Sequence, residues 1–180
     1  MMWVKVTLFF LTIVTVKYIF KFINDYGDNN IARMKELIDF TEYLRIYSCD
    51  MKMSFEEIYL RYDFKSNEIK QVCKILMDEL NYEERKNKKN FTRTMKEIIM
   101  TPDDFNKYFA DIIDYYGSAY SDVLDKKLSF NVKEMENSMK YFEITNSEKK
   151  NLNNRISLLV GCLAAVILIW GGKYGYWLNF

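Results

Sequence analysis

The sequence contains no histidine, one proline (Pro102) and only six glycines in 180 residues. The missing imidazole removes the commonest general base and the commonest metal ligand together. So few breakers favour long helices over a turn-rich β architecture. Net charge is nearly absent as well. With 26 basic against 25 acidic residues, no global field draws the chain to nucleic acid. Cysteine is scarce and odd in number. Cys49, Cys73 and Cys162 fit neither a disulfide framework nor a zinc pattern, and Cys49 and Cys73 read as buried structural thiols. The only adjacent glycines, Gly171 and Gly172, lie in an apolar end segment, so there is no glycine-rich phosphate loop.

What is present is apolar sequence at both ends, hidden in a mean hydropathy of −0.24. Residues 6–16 (V-T-L-F-F-L-T-I-V-T-V) carry no charge. With their flanks, residues 3–23 make a helix of ~30 Å, the thickness of a hydrocarbon core. Lys5, Lys17 and Lys21 extend toward headgroups while their stems stay apolar. No small-residue cleavage pair follows the run, so it reads as an uncleaved anchor. A second charge-free run, residues 156–172, is bounded by Arg155 and Lys173. It predicts a transmembrane helix over residues 155–172. Tyr174, Tyr176, Trp177 and Phe180 in residues 173–180 resemble an aromatic membrane-interface tail. Lys17, Lys21, Lys149, Lys150 and Arg155 lie on the inner flanks of the two runs. The positive-inside rule then places the central domain in the cytoplasm, in a multi-pass protein.

Residues 24–30 (N-D-Y-G-D-N-N) read as a linker, and residues 31–152 as the cytoplasmic domain. Met34, Leu37, Thr41 and Leu44 form one helical stripe, and Phe40, Tyr43 and Tyr47 a second beside it. Ser54-Phe55-Glu56-Glu57 fits a capping box opening a short helix with Phe55, Ile58 and Tyr59. Ser66 or Asn67 can cap the next, whose apolar positions Ile69, Val72, Cys73, Leu76 and Leu80 have helical spacing. Phe91, Met95, Ile98 and Ile99 mark a further helix. Thr101-Pro102-Asp103-Asp104 supplies a cap, a proline at the first helical position and acid in the first turn. Phe105, Phe109, Ile112, Ile113 and Tyr116 follow, ending at Gly117. Leu124, Leu128, Val132, Met135, Met139 and Phe142 lie along one side of a last helix. It either continues into the second apolar run or bends at the polar residues 145–155. The expected fold is all-α: an antiparallel bundle of about five or six helices flanked by an N-terminal and a C-terminal transmembrane helix.

Little chemistry is evident. The pairs Glu56/Glu57, Glu83/Glu84 and Asp103/Asp104 are adjacent helical residues that point apart. No catalytic, cofactor or metal residue is assigned, and no enzyme activity is expected. The one charge cluster is Arg85-Lys86-Asn87-Lys88-Lys89. Arg85, Lys86, Lys88 and Lys89 read either as a solvated turn or as a contact for anionic lipid or an acidic partner, at roughly 1 kcal/mol per cation near a membrane surface. Flanking Glu83 and Glu84, without an aromatic platform, disfavour nucleic acid.

The whole chain resembles the stage III sporulation protein AB family of endospore-forming bacteria. The resemblance is carried by Arg33-Met34-Lys35-Glu36-Leu37, by Ser54-Phe55-Glu56-Glu57-Ile58, and by residues 104–117 (D-F-N-K-Y-F-A-D-I-I-D-Y-Y-G) with Ser121-Asp122. Leu158-Leu159-Val160-Gly161 completes it. Met53-Ser54 stands where the family usually has Thr-Pro. The resemblance implies a non-enzymatic scaffold in a secretion-like channel between mother cell and forespore, similar to type II secretion inner-membrane platform proteins. Its implied place is the mother-cell-derived outer forespore membrane. Its implied partners are a mother-cell ATPase and small integral membrane proteins of the same operon, and self-association into a homo-oligomer is left open. A membrane-tethered regulatory module binding one soluble signalling partner is the alternative reading of the residues.

Overall fold

The computed structural model describes the backbone of residues 2–81, 87–117 and 120–174, and side chains within these over residues 3–167. Seven helical segments occur among the described residues, with no strand: α1 (Met2–Cys49), α2 (Phe55–Arg61), α3 (Asn67–Asn81), α4 (Lys88–Ile99), α5 (Asp103–Ala110), α6 (Ile112–Tyr115) and α7 (Ser121–Tyr174). The chain divides into two compact units, one made of Met1–Asp28 with Ile144–Phe180 and the other of Asn29–Glu143.

The unit Asn29–Glu143 has one hydrophobic core. Met34, Leu37, Phe40 and Leu44 of α1 are fully buried, as are Ile58, Ile69, Val72, Cys73 and Leu76 from α2 and α3. Phe91, Met95 and Ile99 of α4, Phe105 and Phe109 of α5, and Leu128 and Met135 of α7 complete it. The stripes read from helical spacing are therefore the faces that pack. Aromatic rings join the pieces. Phe40 meets Phe55, Tyr62 and Phe64 at centroid distances of 5.9, 5.2 and 5.5 Å, and Phe55 meets Tyr116 edge-on at 5.5 Å. Such edge contacts add to the area the rings bury.

The starts of α2 and α3 follow local chemistry. The capping box at Ser54 is present: Glu57 N–H donates to Ser54 Oγ (3.3 Å), and Ser54 N–H to Glu57 Oε2 (3.0 Å). Ser66 caps α3 by accepting from Ile69 N–H at 3.4 Å. Thr101, expected to cap α5, does not. Pro102 occupies the cap position, and the Thr101 side chain is turned to buried Asn106, whose Nδ2 donates back to Thr101 O at 3.0 Å. Buried polar groups must find partners, and this reciprocal pair satisfies both side chains. The helix expected through Tyr116 is also interrupted at Asp111, between α5 and α6. Gly117 then turns the chain with φ +83°.

Side chains of α1 join distant segments of this unit. The Glu36 carboxylate, 5% exposed on α1, accepts from Lys65 N–H (2.6 Å), Ser66 N–H (3.2 Å) and Ser66 Oγ (2.8 Å). A buried carboxylate with three donors is stable where an unpaired one would not be. On the other side, Arg45 bridges Glu42 (2.7 Å) and Asp125 of α7 (2.5 Å).

Residues 24–30, expected as a linker, are helical, because α1 runs unbroken from Met2 to Cys49. Asn24 and Gly27 look like breakers in isolation, but each faces α7. Asn24 donates to Asn154 Oδ1 (3.3 Å) and accepts from Asn153 Nδ2 (2.9 Å). A Cβ at Gly27 would stand 2.1 Å from Asn146 Oδ1, so glycine admits that side chain against the helix. Asp28 in turn accepts from Asn146 (3.2 Å) and Lys150 (2.5 Å). Residues 145–155 are helical too, so α7 continues without a hinge to Tyr174.

Partners that rise along α1 fall along α7, from Ile13 with Gly161 to Asp28 with Asn146, so these segments pair antiparallel within their unit. Ser157, Gly161 and Ala165, four residues apart, are all buried, and Gly161 lies against Ile13 at 3.3 Å from its would-be Cβ to the Ile13 Cα. Small residues at this spacing allow two backbones to approach closely.

Candidate functional site

The first candidate surface is the cationic segment before and within α4. Arg85 and Lys86 lie outside the described residues. Asn87 caps α4 by accepting from Asn90 N–H at 3.0 Å, and its own N–H donates to Glu79 (3.2 Å). Lys88 is not a free cation. Its ammonium sits between Asp111 and Asp114, at 2.6 Å from the latter. Burial pulls this lysine's pKa down, but the two carboxylates outweigh it and hold the group above its ordinary value. Lys88 thus holds the start of α4 to the junction of α5 and α6. Lys89 is exposed, and the residues it shares a helical face with are Arg93 and Lys96, four and seven positions on. A shallow groove of about 810 Å³ is lined by Asn87, Lys88, Lys89, Arg93 and Lys96 among others. Lys96 also pairs with exposed Asp103 at 2.7 Å. The sequence run grouped cations that are consecutive. The helix groups cations that are one turn apart, and the period of Lys89, Arg93 and Lys96 was the signal available for it.

The second candidate is a groove of about 580 Å³ within the α1–α7 pair. It is lined by Val14, Lys17, Tyr18, Phe20, Lys21, Asn24 and Asp25 of α1, and by Lys150, Asn154 and Ser157 of α7. The hydrogen-bonded Asn24–Asn154 contact lies at its wall. On the N-terminal side of the groove, α1 presents Leu8, Phe10, Leu11 and Val14 to the outside, each about half exposed or more. The hydroxyls within this apolar stretch are bonded to their own helix: Thr7, Thr12 and Thr15 donate to carbonyls four residues back at 2.8–2.9 Å. Among the described residues one helix, α1, holds a stretch long and apolar enough to cross a membrane, and none of that stretch is buried. In the second apolar run the backbone is helical to Tyr174. Its side chains from residue 168 onward, and the aromatic tail at 175–180, lie outside the described residues.

Titratable groups in the Asn29–Glu143 unit are tuned for packing. Burial pushes the Tyr62 and Tyr116 phenols up to about 12. Burial also raises the Cys73 thiol well above its ordinary value, and so leaves it a poor nucleophile. Glu57, exposed, is lowered by the backbone and hydroxyl of Ser54 that it caps. Among the described residues no group of three or more acidic or thiol side chains converges as a metal site. Among the described residues, the class these features define is an all-helical protein with an uncovered apolar stretch on α1 and an aromatic-rich core in the Asn29–Glu143 unit. The chain matches no protein-family model, no curated protein and no solved structure.

Proposed function

We propose that the chain is a non-enzymatic membrane platform. In this reading both apolar helix segments lie in the lipid, and the Asn29–Glu143 unit is a cytoplasmic antiparallel bundle that docks other proteins. The observation that carries it is the apolar stretch of α1, none of which is buried by the chain itself. Apolar surface of that extent calls for an apolar cover. The internally bonded threonines suit that cover to lipid, where each polar group must be satisfied within the helix. The resemblance to the stage III sporulation protein AB family makes the role more specific: a scaffold of the mother cell–forespore channel that docks an operon-encoded ATPase. The face formed by Lys89, Arg93 and Lys96 is the natural docking surface for an acidic partner.

Co-purification from sporulating cells tests this. A tagged chain is expected to bring down small integral membrane proteins together with an ATPase. Lys89→Glu with Arg93→Glu is expected to lose the ATPase and keep the membrane partners. Recovery of a single soluble protein, with no membrane partner, refutes the platform and favours the regulatory module.

A further inference from the structure

We infer that the groove between α1 and α7 is a binding site for one anionic glycerophospholipid of the phosphatidylglycerol type. The inference rests on the membrane reading above and specifies what that membrane must contain. Three observations meet at the groove.

The first is its place in the chain. Val14 lies near the end of the charge-free run of α1, which closes at Val16, and Lys17 and Lys21 are the first charges after it. A helix crossing a bilayer passes from acyl chain to headgroup at such a boundary. The groove therefore has an apolar end suited to acyl carbons and a polar end suited to a headgroup.

The second is charge. Lys150 is engaged by Asp28 at 2.5 Å. No ion pair among the described residues engages Lys17 or Lys21. Setting Asp25 and Asp28 against the three lysines leaves one positive charge. A phosphodiester with a glycerol cap carries one negative charge and complements it. A zwitterionic headgroup brings an ammonium that has only Asp25 to meet.

The third is donor geometry. Lys17 and Lys21 are four residues apart and stack on one face of α1. Asn154 uses Oδ1 to accept from Asn24, which leaves its Nδ2 as a neutral donor across the groove. The Asn24 rungs hold the two walls together, so the cradle is fixed by contacts separate from the lysines that would grip the phosphate.

Native mass spectrometry of the full chain in a mild detergent tests the proposal, with phosphatidylglycerol, phosphatidylcholine of the same acyl chains, and inorganic phosphate as probes. Phosphatidylglycerol is expected to bind at least about fivefold more tightly than phosphatidylcholine, and Lys17→Gln with Lys21→Gln to remove that preference, at about fivefold for each lysine. Lys17→Arg with Lys21→Arg should retain it. Unchanged far-ultraviolet circular dichroism shows that the variants remain folded. Equal binding of the two lipids, or a preference that survives the double glutamine variant, overturns the proposal. Full displacement of the lipid by inorganic phosphate also overturns it, by showing a site for a free anion. Flotation with phosphatidylcholine vesicles separates the two levels of the reading. A chain that floats but shows no lipid preference keeps its membrane role and loses this site, whereas one that does not float loses both.

Discussion

The two units of this chain solve the problem of a stable helix in different ways. The Asn29–Glu143 unit buries large side chains, with Phe40, Phe91, Phe105 and Phe109 among those shielded almost completely. The pair formed by the ends of α1 and α7 buries small ones, Ser157, Gly161 and Ala165, and joins its helices with amides. Its large apolar residues face outward instead, Phe10 and Leu11 each 62% exposed. The hydrophobic effect in water drives the first arrangement. In lipid that drive is absent, and close backbone approach with interhelical hydrogen bonds takes over. On the membrane reading proposed above, the distribution of residue size across a face, beyond apolarity alone, follows the solvent around the helix.

Substitutions can break this contrast from its strongest side. Phe40→Ala should cost about 3–5 kcal/mol, since a fully buried ring that meets three others leaves a cavity. Chemical denaturation of the full chain in detergent, followed by near-ultraviolet circular dichroism, measures it. Leu11→Ala, an equally apolar truncation at an exposed site, should shift the same transition hardly at all.

Glu36→Ala ranks next. It strands two backbone N–H groups and the Ser66 hydroxyl, and should cost about 1.5–3 kcal/mol in the same assay. In the helix pair, Asn24→Ala removes the rungs to Asn153 and Asn154, and a loss of about 1 kcal/mol is expected from interhelical bonds of this kind.

The effects of pH are confined to its extremes. The Tyr116 phenol is raised from 10.0 to about 12, chiefly by burial, with Cys49 adding and a hydrogen bond from Ser48 opposing. The folded state therefore holds this proton more tightly than the unfolded chain does. Its contribution to stability is complete below about pH 10 and disappears as pH rises through about 12. Glu42 behaves oppositely. The hydrogen bond from Arg45 lowers its pKa below 4.5, so its contribution is present above that value and is lost as pH falls through the lowered one. Tyrosinate absorbance of the wild type should exceed that of Tyr116→Phe by one phenol titrating near pH 12, Tyr62 being common to both.

Much of the Asn29–Glu143 unit was legible because its helices are amphipathic. Met34, Leu37, Thr41 and Leu44 repeat at three and four, and all four are fully buried. The capping box at Ser54 was equally readable, being a local interaction within four residues. What escaped was non-local. Glu36 looked like an ordinary helical acid, and its partners stand about thirty positions away at Lys65 and Ser66. Thr101 looked like a cap until Asn106 claimed its hydroxyl. Residues 24–30 looked like a linker because Asn and Gly weaken an isolated helix, whereas here Asn146, Asn153 and Asn154 supply what the helix lacks. The basic cluster was misgrouped for a related reason. Adjacency joined Lys88 to Lys89, but the helix turns them apart, and Asp111 and Asp114 were too distant in sequence to show that Lys88 is engaged.

The central claim is that the uncovered apolar face of α1 is covered by lipid, and alkaline carbonate extraction of vesicles carrying the full chain tests it most directly. Carbonate strips proteins held by surface charge and leaves those held by buried apolar area. The account predicts that the full-length chain stays with the sedimented membrane. Its release into the supernatant would contradict the membrane reading and the lipid site built upon it.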